Sequence, residues 1–460
     1  MREVRQLSLR TSTFWCLIPC GVSDALRVRQ VIRRSGRRRE GLCLDQPRSH
    51  RSNSPPHLPR RLLKPLERFF RIEASSGIVL LAATVAAMLW ANSRWHVSYE
   101  SLWQQAITFP LGTRHWSVSP HFLVNDGLMT IFFLLVGLEI RQELHDGALS
   151  SARAAVMPVI AALGGMLAPA LIFLAVADSQ VRRGWAIPTA TDIAFAIGAL
   201  TLLGKRVPPS ARVLLLALAV IDDIGAILII AFFYSSGIDA LGLWIAAGGV
   251  GGVWALQRFG VRSTAAYLLP GLVIWIGLLD AGLNPTLAGA ILGLLTPVQA
   301  RWLSGAKRRP RAPAERLQPA LHPWVAYGIM PLFALANAGV ALDGAASSAA
   351  ATEALTIAIV LALVLGKPLG IVLCTWPATR SGFGALAPGL NGRGALLVGC
   401  FGGIGFTMSL FLATIAFDNP GLLAAAKVAI LLGSAIAGIG GFVLGRTVLF
   451  PDRAGLTGAP

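Results

Sequence analysis

The sequence predicts an all-α polytopic membrane protein of twelve transmembrane helices, on three observations: its composition, the recurrence of apolar stretches, and the charge of the loops between them. Of 460 residues, 55% are hydrophobic and 13% charged, with a mean hydropathy of +0.65, where soluble domains carry about 25% charged residues. Packing so much apolar sequence in water would leave large exposed patches. Stretches of about 20 apolar residues, the length that crosses a bilayer, recur instead.

The net charge of +18 is unevenly placed. Residues 1–64 hold 14 Arg and Lys64 against Glu3, Asp24, Glu40 and Asp45, a net of +11. The other basic residues fall almost wholly in short loops, where they orient membrane helices rather than bind nucleic acid. Phe14–Val22 has the look of a brief signal-peptide core, but an Arg-rich polar run follows it. Residues 1–62 are therefore expected to be a disordered basic extension with no role in transport. The twelve-helix domain is expected over 63–450, followed by a short tail, 451–460. Cys16, Cys20, Cys43, Cys374 and Cys400 form neither an even framework nor a pair of CxxC motifs, so no disulfide, structural metal or cofactor is expected.

Apolar segments centre on 75–92, 121–143, 155–175, 185–203, 210–234, 240–257, 264–280, 284–298, 322–342, 354–376, 394–416 and 421–445, punctuated by Gly, Pro or charge. With the amino terminus inside, the cytoplasmic loops carry 17 Arg and Lys, whereas the outer loops carry only Arg94, Arg114, Arg182 and Arg183. This asymmetry selects twelve spans with both termini cytoplasmic. Segments three to five then run opposite to ten to twelve, as inverted repeats do. The middle member of each trio is interrupted, by Pro188-Thr189-Ala190-Thr191-Asp192 and by Gly402-Gly403-Ile404-Gly405. Matching interruptions in two halves point to a transport site.

Asp192 lies about 10 residues inside Arg183, roughly 15 Å deep at helical rise and close to the midplane. Asp222 and Asp223 lie at similar depth on the next segment. Charges there are costly unless paired or hydrated, so three of them imply a polar pathway. Neighbours on a helix point about 100° apart, which gives Asp222 and Asp223 different partners. Lys367, also near mid-depth, needs an anion, and Asp222 is the candidate. Carboxylates with a hydroxyl are hard ligands suited to Na⁺ or Li⁺. Burial disfavours the charged form of a carboxylate, so protons can compete with the cation. An exchange of one Na⁺ for two protons would move net charge. The interrupted helices also leave free ends whose dipoles suit the opposite charges of Asp192 and Lys367.

Seven ordered motifs carry a resemblance. They are Asn125-Asp126; Phe132-Phe133-Leu134-Leu135-Val136-Gly137-Leu138-Glu139; Gly184-Trp185-Ala186-Ile187-Pro188 leading into Thr191-Asp192-Ile193-Ala194-Phe195-Ala196; Ile221-Asp222-Asp223-Ile224-Gly225-Ala226; Leu321-His322-Pro323-Trp324-Val325-Ala326-Tyr327; Gly366-Lys367-Pro368-Leu369-Gly370; and Gly403-Ile404-Gly405-Phe406-Thr407-Met408-Ser409. From about Leu66 to about Arg446 the chain resembles the NhaA-type sodium/proton antiporters, transporters of the bacterial inner membrane. The resemblance implies Na⁺ and H⁺ as substrates. It makes Asp222 and Asp223 the ion- and proton-exchanging pair, with Asp223 the principal cation ligand and Thr191 and Asp192 at the crossing of the broken helices. Lys367 is implied to hold Asp222 at rest, and Glu139 and Glu143 to flank a cytoplasmic funnel tied to pH activation. Two departures bear on pH response: Asn284 stands where relatives often carry His, and Gln318 where they often carry an acid. His322 remains, expected to be structural. Oligomeric state is left open, a homodimer included.

Two rival readings are weaker. A symporter of an organic anion would want net positive charge in its cavity rather than three carboxylates and one lysine. An intramembrane aspartyl protease has a GxGD motif, whereas Gly403-Ile404-Gly405 is followed here by Phe406.

Overall fold

A computed structural model describes residues 60–111, 114–147, 149–204, 207–235, 237, 239–261, 263–298, 312–341, 350–381 and 390–449. The basic extension up to residue 59, the tail 451–460 and the basic loop 299–311 lie outside these residues.

A helix stands at every apolar segment. The described residues begin with α1 (Arg60–Ala91), which turns by 113° into the short α2 (His96–Gln104). An antiparallel hairpin follows, β1 (Ile107–Leu111) on β2 (Arg114–Val118), with Ile107 opposite Val118. This hairpin is a departure from the all-α expectation. It lies outside the apolar segments, so the backbone is free to pair as strands there; within the hydrocarbon an open sheet edge would be excluded.

The second segment is α3, in which Pro120–Phe122, a π-helical turn Leu123–Leu128 and Met129–Asp146 run on without a break. Then come α4 (Ala152–Val176), a 3₁₀ stretch Ser179–Thr189 with α5 (Ile193–Leu202), α6 (Pro209–Phe233), α7 (Ala240–Arg258), α8 (Leu268–Asp280) and α9 (Leu287–Leu295). Next, α10 joins Pro313–Trp324 to Met330–Asn337 through a π turn Val325–Ile329. In the same way α11 joins Ala350–Leu361 to Lys367–Arg380 through Ala362–Gly366. The chain closes with α12 (Gly392–Gly402), α13 (Phe406–Ala416) and α14 (Pro420–Leu444).

Among the described residues, six helices are long and apolar enough to cross a membrane, and up to nine if each bent pair is one span. Large apolar side chains such as Phe232, Trp244 and Phe259 face outward, as suits a protein whose surroundings are lipid. Inside, helices approach through glycine. A Cβ on Gly370 of α11 would overlap the carbonyl oxygen of Gly164 on α4, and one on Gly289 of α9 would overlap that of Thr130 on α3. Small residues permit this backbone contact, which drives helix association where hydrophobic burial gives no gain.

Two elements are broken and bent rather than continuous. The turn of 56° falls at 190–192, between the 3₁₀ stretch and α5, and the turn of 49° at 403–405, between α12 and α13. Pro188 and the run of Gly402, Gly403 and Gly405 are where helical hydrogen bonding is weakest. The first half of the earlier element is 3₁₀, rising about 2.0 Å per residue rather than 1.5 Å. Its break thus sits a few ångströms farther along the axis than an α-helical count places it.

Candidate functional site

The two breaks cross each other. The backbone N–H of Asp192 donates to the carbonyl of Ile404 at 2.8 Å, and Ser409 Oγ donates to the carbonyl of Ile187 at 2.7 Å. Each break therefore supplies partners for backbone groups that the other leaves open, as buried polar backbone requires.

Asp192 sits at two helix beginnings at once. As N-cap of α5, its Oδ1 accepts from the backbone N–H of Phe195 at 3.0 Å. Its Oδ2 accepts from the backbone N–H of Thr407 at 3.2 Å and from Thr407 Oγ1 at 2.5 Å, in the first turn of α13. One anion thus answers the positive ends of two half-helices. Phe406, the first residue of α13, donates its N–H to Ser434 Oγ of α14 at 3.1 Å.

On the other side of the crossing, Lys367 is fully buried and meets Asp222 of α6. Its Nζ lies 2.6 Å from Asp222 Oδ2 and 2.5 Å from Thr191 Oγ1. The Thr191 hydroxyl donates toward Asp222 Oδ2 at 2.6 Å, with the carbonyl of Gly402 at 3.0 Å. The ammonium therefore stands beside the carboxyl end of α12, where a cation suits the dipole. The close charge-assisted contacts offset part of the desolvation that burial of both ions imposes.

Asp223 looks elsewhere. It lines a cavity of about 60 Å³ with Glu139, Thr191, Asp192, His322 and Thr407, space enough for water, each molecule needing about 10–15 Å³. Asp222 and Asp223 each keep one buried carboxylate oxygen, Oδ1, without a hydrogen-bond partner among the described residues. Unsatisfied buried acceptors are expensive and call for a ligand. Among the described residues, no three His, Cys, Asp or Glu side chains converge closely enough to hold a metal ion together. The reason is visible in the contacts: Lys367 occupies Asp222, and the helix ends occupy Asp192.

The structure thus brings Thr191, Asp192, Asp222, Asp223 and Lys367 together and adds Glu139 on the cavity wall. Glu143, one turn further along α3, does not line that cavity. His322, read from sequence as structural, is buried and faces the cavity. Asn284 accepts at Oδ1 from the backbone N–H and hydroxyl of Thr286, holding the turn before α9. Gln318 is half-buried on α10. Sequence reasoning missed the bracing role of Thr407 and Ser434. Thr407 stands two residues past the second break, the position from which a hydroxyl reaches an anion at a helix beginning; Ser434 carries no local signal.

Comparison with known proteins bears on this arrangement. The profile of the family described as Na⁺/H⁺ antiporter 1 matches residues 67–444. A protein of Sorangium cellulosum (strain So ce56) named Na(+)/H(+) antiporter NhaA 2 is 50% identical, with 88% of this chain and 95% of the relative covered. The Na(+)/H(+) antiporter NhaA of Acidovorax sp. (strain JS42) is 51% identical over 83% of this chain and 91% of its own length. One of Pseudomonas putida (strain ATCC 700007, F1), named Na(+)/H(+) antiporter NhaA 2, is 49% identical over 84% and 94%. With its motifs, its crossed broken helices and this extent of match, the chain belongs to the Na⁺/H⁺ antiporter 1 family.

Proposed function

We propose that this protein is a secondary active transporter of the bacterial inner membrane that exports Na⁺, and Li⁺, in exchange for protons, serving sodium and pH homeostasis. The observation that carries the reading is the pair of adjacent carboxylates, Asp222 and Asp223, each with a buried oxygen lacking a partner, beside a cavity at the crossing of two broken helices.

Asp223 is the principal cation ligand, because it lines the cavity and, among the described residues, no cationic side chain lies within hydrogen-bond distance of it. Asp222, Thr191 and Asp192 complete the oxygen set. Lys367 holds Asp222 while the site is free of Na⁺, so an arriving cation must displace an ammonium from Oδ2. Exchange of one Na⁺ for two protons on the two carboxylates makes the cycle electrogenic, and membrane potential then helps drive export. Glu139, on the cavity wall, and Glu143, one turn away, are the candidates for pH regulation. The chain crosses the membrane twelve times with both termini cytoplasmic, segments three to five and ten to twelve forming inverted repeats. The positive-inside pattern and the similar bends of 56° and 49° support this topology.

In everted vesicles acidified inside, added Na⁺ is expected to dissipate the proton gradient in the native protein and not in Asp223→Asn. Undiminished Na⁺-dependent exchange in that variant would overturn the assignment.

A further inference from the structure

A second cavity, of about 730 Å³, lies between α3, α8 and α9 and shares no residue with the cavity of about 60 Å³ at the exchange site. The wall between the two is α3. Thr130, Ile131 and Leu134 face the large cavity, whereas Phe132, Leu135, Val136 and Glu139 line the small one.

Local structure shapes this space. The π turn Leu123–Leu128 underwinds α3 at this level, a device frequent at functional sites, and Gly127 inside the turn lines the cavity without putting a side chain into it. Where α3 meets α9, the backbones of Thr130 and Gly289 are in contact and close the back.

The polar atoms of the wall already have partners. Trp275 Nε1 of α8 donates to the carbonyl of Asp126 at 3.2 Å and to Thr130 Oγ1 at 3.1 Å, and that hydroxyl donates to the same carbonyl at 2.5 Å. The indole thus ties α8 to the π turn. Among the described residues, none that lines the cavity is charged. Such a wall offers an occupant dispersion contacts and offers water no partners.

The cavity is a groove open to lipid. Leu123, Leu268 and Leu272 line it and are 55%, 68% and 53% exposed, so it is continuous with the apolar surface that lipid covers. From Phe122 to Leu134 on α3, and from Leu268 to Leu279 on α8, it runs roughly 17 Å at helical rise. That is close to one leaflet of a hydrocarbon core about 30 Å thick. A helix of a second copy, about 10 Å across, would need about 1,300 Å³ over this length, more than the groove holds. Extended hydrocarbon is thin enough to enter. Left empty, the groove would strip one side of α3 of packing partners.

We propose that this groove is a binding site for an acyl chain of a membrane phospholipid, which completes the packing of α3 behind the exchange site. The chain lies lengthwise between α3 and α8, with its methylenes against Ile131, Leu272 and the Trp275 ring. It backs the helix that carries Glu139. This inference goes beyond the antiport reading and does not depend on it.

Photocrosslinking reads occupancy without requiring transport. The full chain is reconstituted into phosphatidylethanolamine and phosphatidylglycerol vesicles containing a phosphatidylcholine with a diazirine at mid-chain, illuminated, and its adducts mapped by mass spectrometry. Adducts are expected on 122–134 and 268–279 in higher yield than on α7 around Trp244 and Trp254, which are exposed to lipid and do not line the groove. Gly127→Leu puts a side chain into the groove, where a Cβ meets only the flexible end of Leu123. The added volume leaves too little room for the chain and should cut groove adducts roughly fivefold or more, with adducts on α7 unchanged. Leu272→Trp fills the groove from the opposite wall at an exposed position and serves if Gly127→Leu does not fold. Groove adducts no richer than those on α7, or unmoved by filling in folded protein, would overturn the proposal. So would a groove poor in adducts whose Leu272→Cys variant is joined by an oxidant to a second copy, which would make the occupant protein.

Discussion

Replacing Thr407 by Val and Asp192 by Asn, singly and together, measures how strongly the crossing is held. Thr407→Val keeps side-chain volume at a fully buried position and deletes one hydrogen bond, the 2.5 Å contact from Oγ1 to Asp192 Oδ2. Hydrogen bonds to charged groups contribute about 1.5–3 kcal/mol. Asp192→Asn does more. With its Oδ1 kept on the Phe195 N–H, the new amide NH₂ faces two donors at Thr407. The hydroxyl can turn to accept, but the backbone N–H, 3.2 Å away, cannot, and a buried unpaired donor costs about 1–3 kcal/mol. Loss of the anion at two helix beginnings adds about 0.3–1 kcal/mol each, more in a buried setting. Asp192→Asn is therefore expected to destabilise by about 2–5 kcal/mol. Because both changes strike one contact, the double variant should fall short of the summed single effects by about 1.5 kcal/mol, within the range for contacting residues. Unfolding in mixed micelles by titration with a denaturing detergent reads these differences. Additivity within about 0.5 kcal/mol would show that Thr407 does not brace Asp192, and the account of the crossing would fail.

Other expectations follow from the same geometry. Lys367→Met strips Asp222 of its cation in a fully buried setting, which should cost about 3–5 kcal/mol; thermal unfolding should show most of it recovered in Lys367→Met/Asp222→Asn, and no recovery would refute the pairing. Gly370→Ala drives a Cβ against the backbone of Gly164 and should destabilise by about 1–3 kcal/mol. Gly248→Ala in α7, where a Cβ meets nothing, should be neutral or stabilising by up to ~1 kcal/mol, so equal melting shifts for the two would contradict the packing described. Glu139→Gln, on the cavity wall, should raise the Na⁺ concentration for half-maximal exchange roughly threefold to fivefold, the ~1 kcal/mol of a screened charge. Glu143→Gln should leave it nearly unchanged.

Much of the site was legible because lipid makes polar residues conspicuous. Asp192, Asp222, Asp223 and Lys367 stand out against apolar segments, and Pro188 and the Gly402–Gly405 run mark where helices break. The divergence of Asp222 and Asp223 follows from helical geometry alone. What was not legible depends on tertiary neighbours or on weak local preference. The strands Ile107–Leu111 and Arg114–Val118 are five residues each, and the first contains Pro110, too little periodicity to separate from a loop. The π turns shift register without any residue that announces them. His322 reads as an ordinary loop-end histidine until α3 and α6 are placed around it. Ser434 and the ring cluster of Phe133, Phe333 and Phe411 are unremarkable in their own segments, since serine and phenylalanine are both common in membrane helices.

The double attachment of Asp192 has a mechanical consequence. A carboxylate pinned to α5 through Phe195 and to α13 through Thr407 joins two rods at one rivet. Pulling either rod loads the other at once, so the pair moves as a single cross-piece while the rivet holds. Phe411 rides on that cross-piece, one turn from the rivet, whereas Phe133 and Phe333 belong to the frame on either side. Displacement of the cross-piece against the frame would then carry Asp192 and shear the contacts of Phe411 with Phe133 and Phe333 in one stroke, tying the position of that carboxylate to the packing of the three rings.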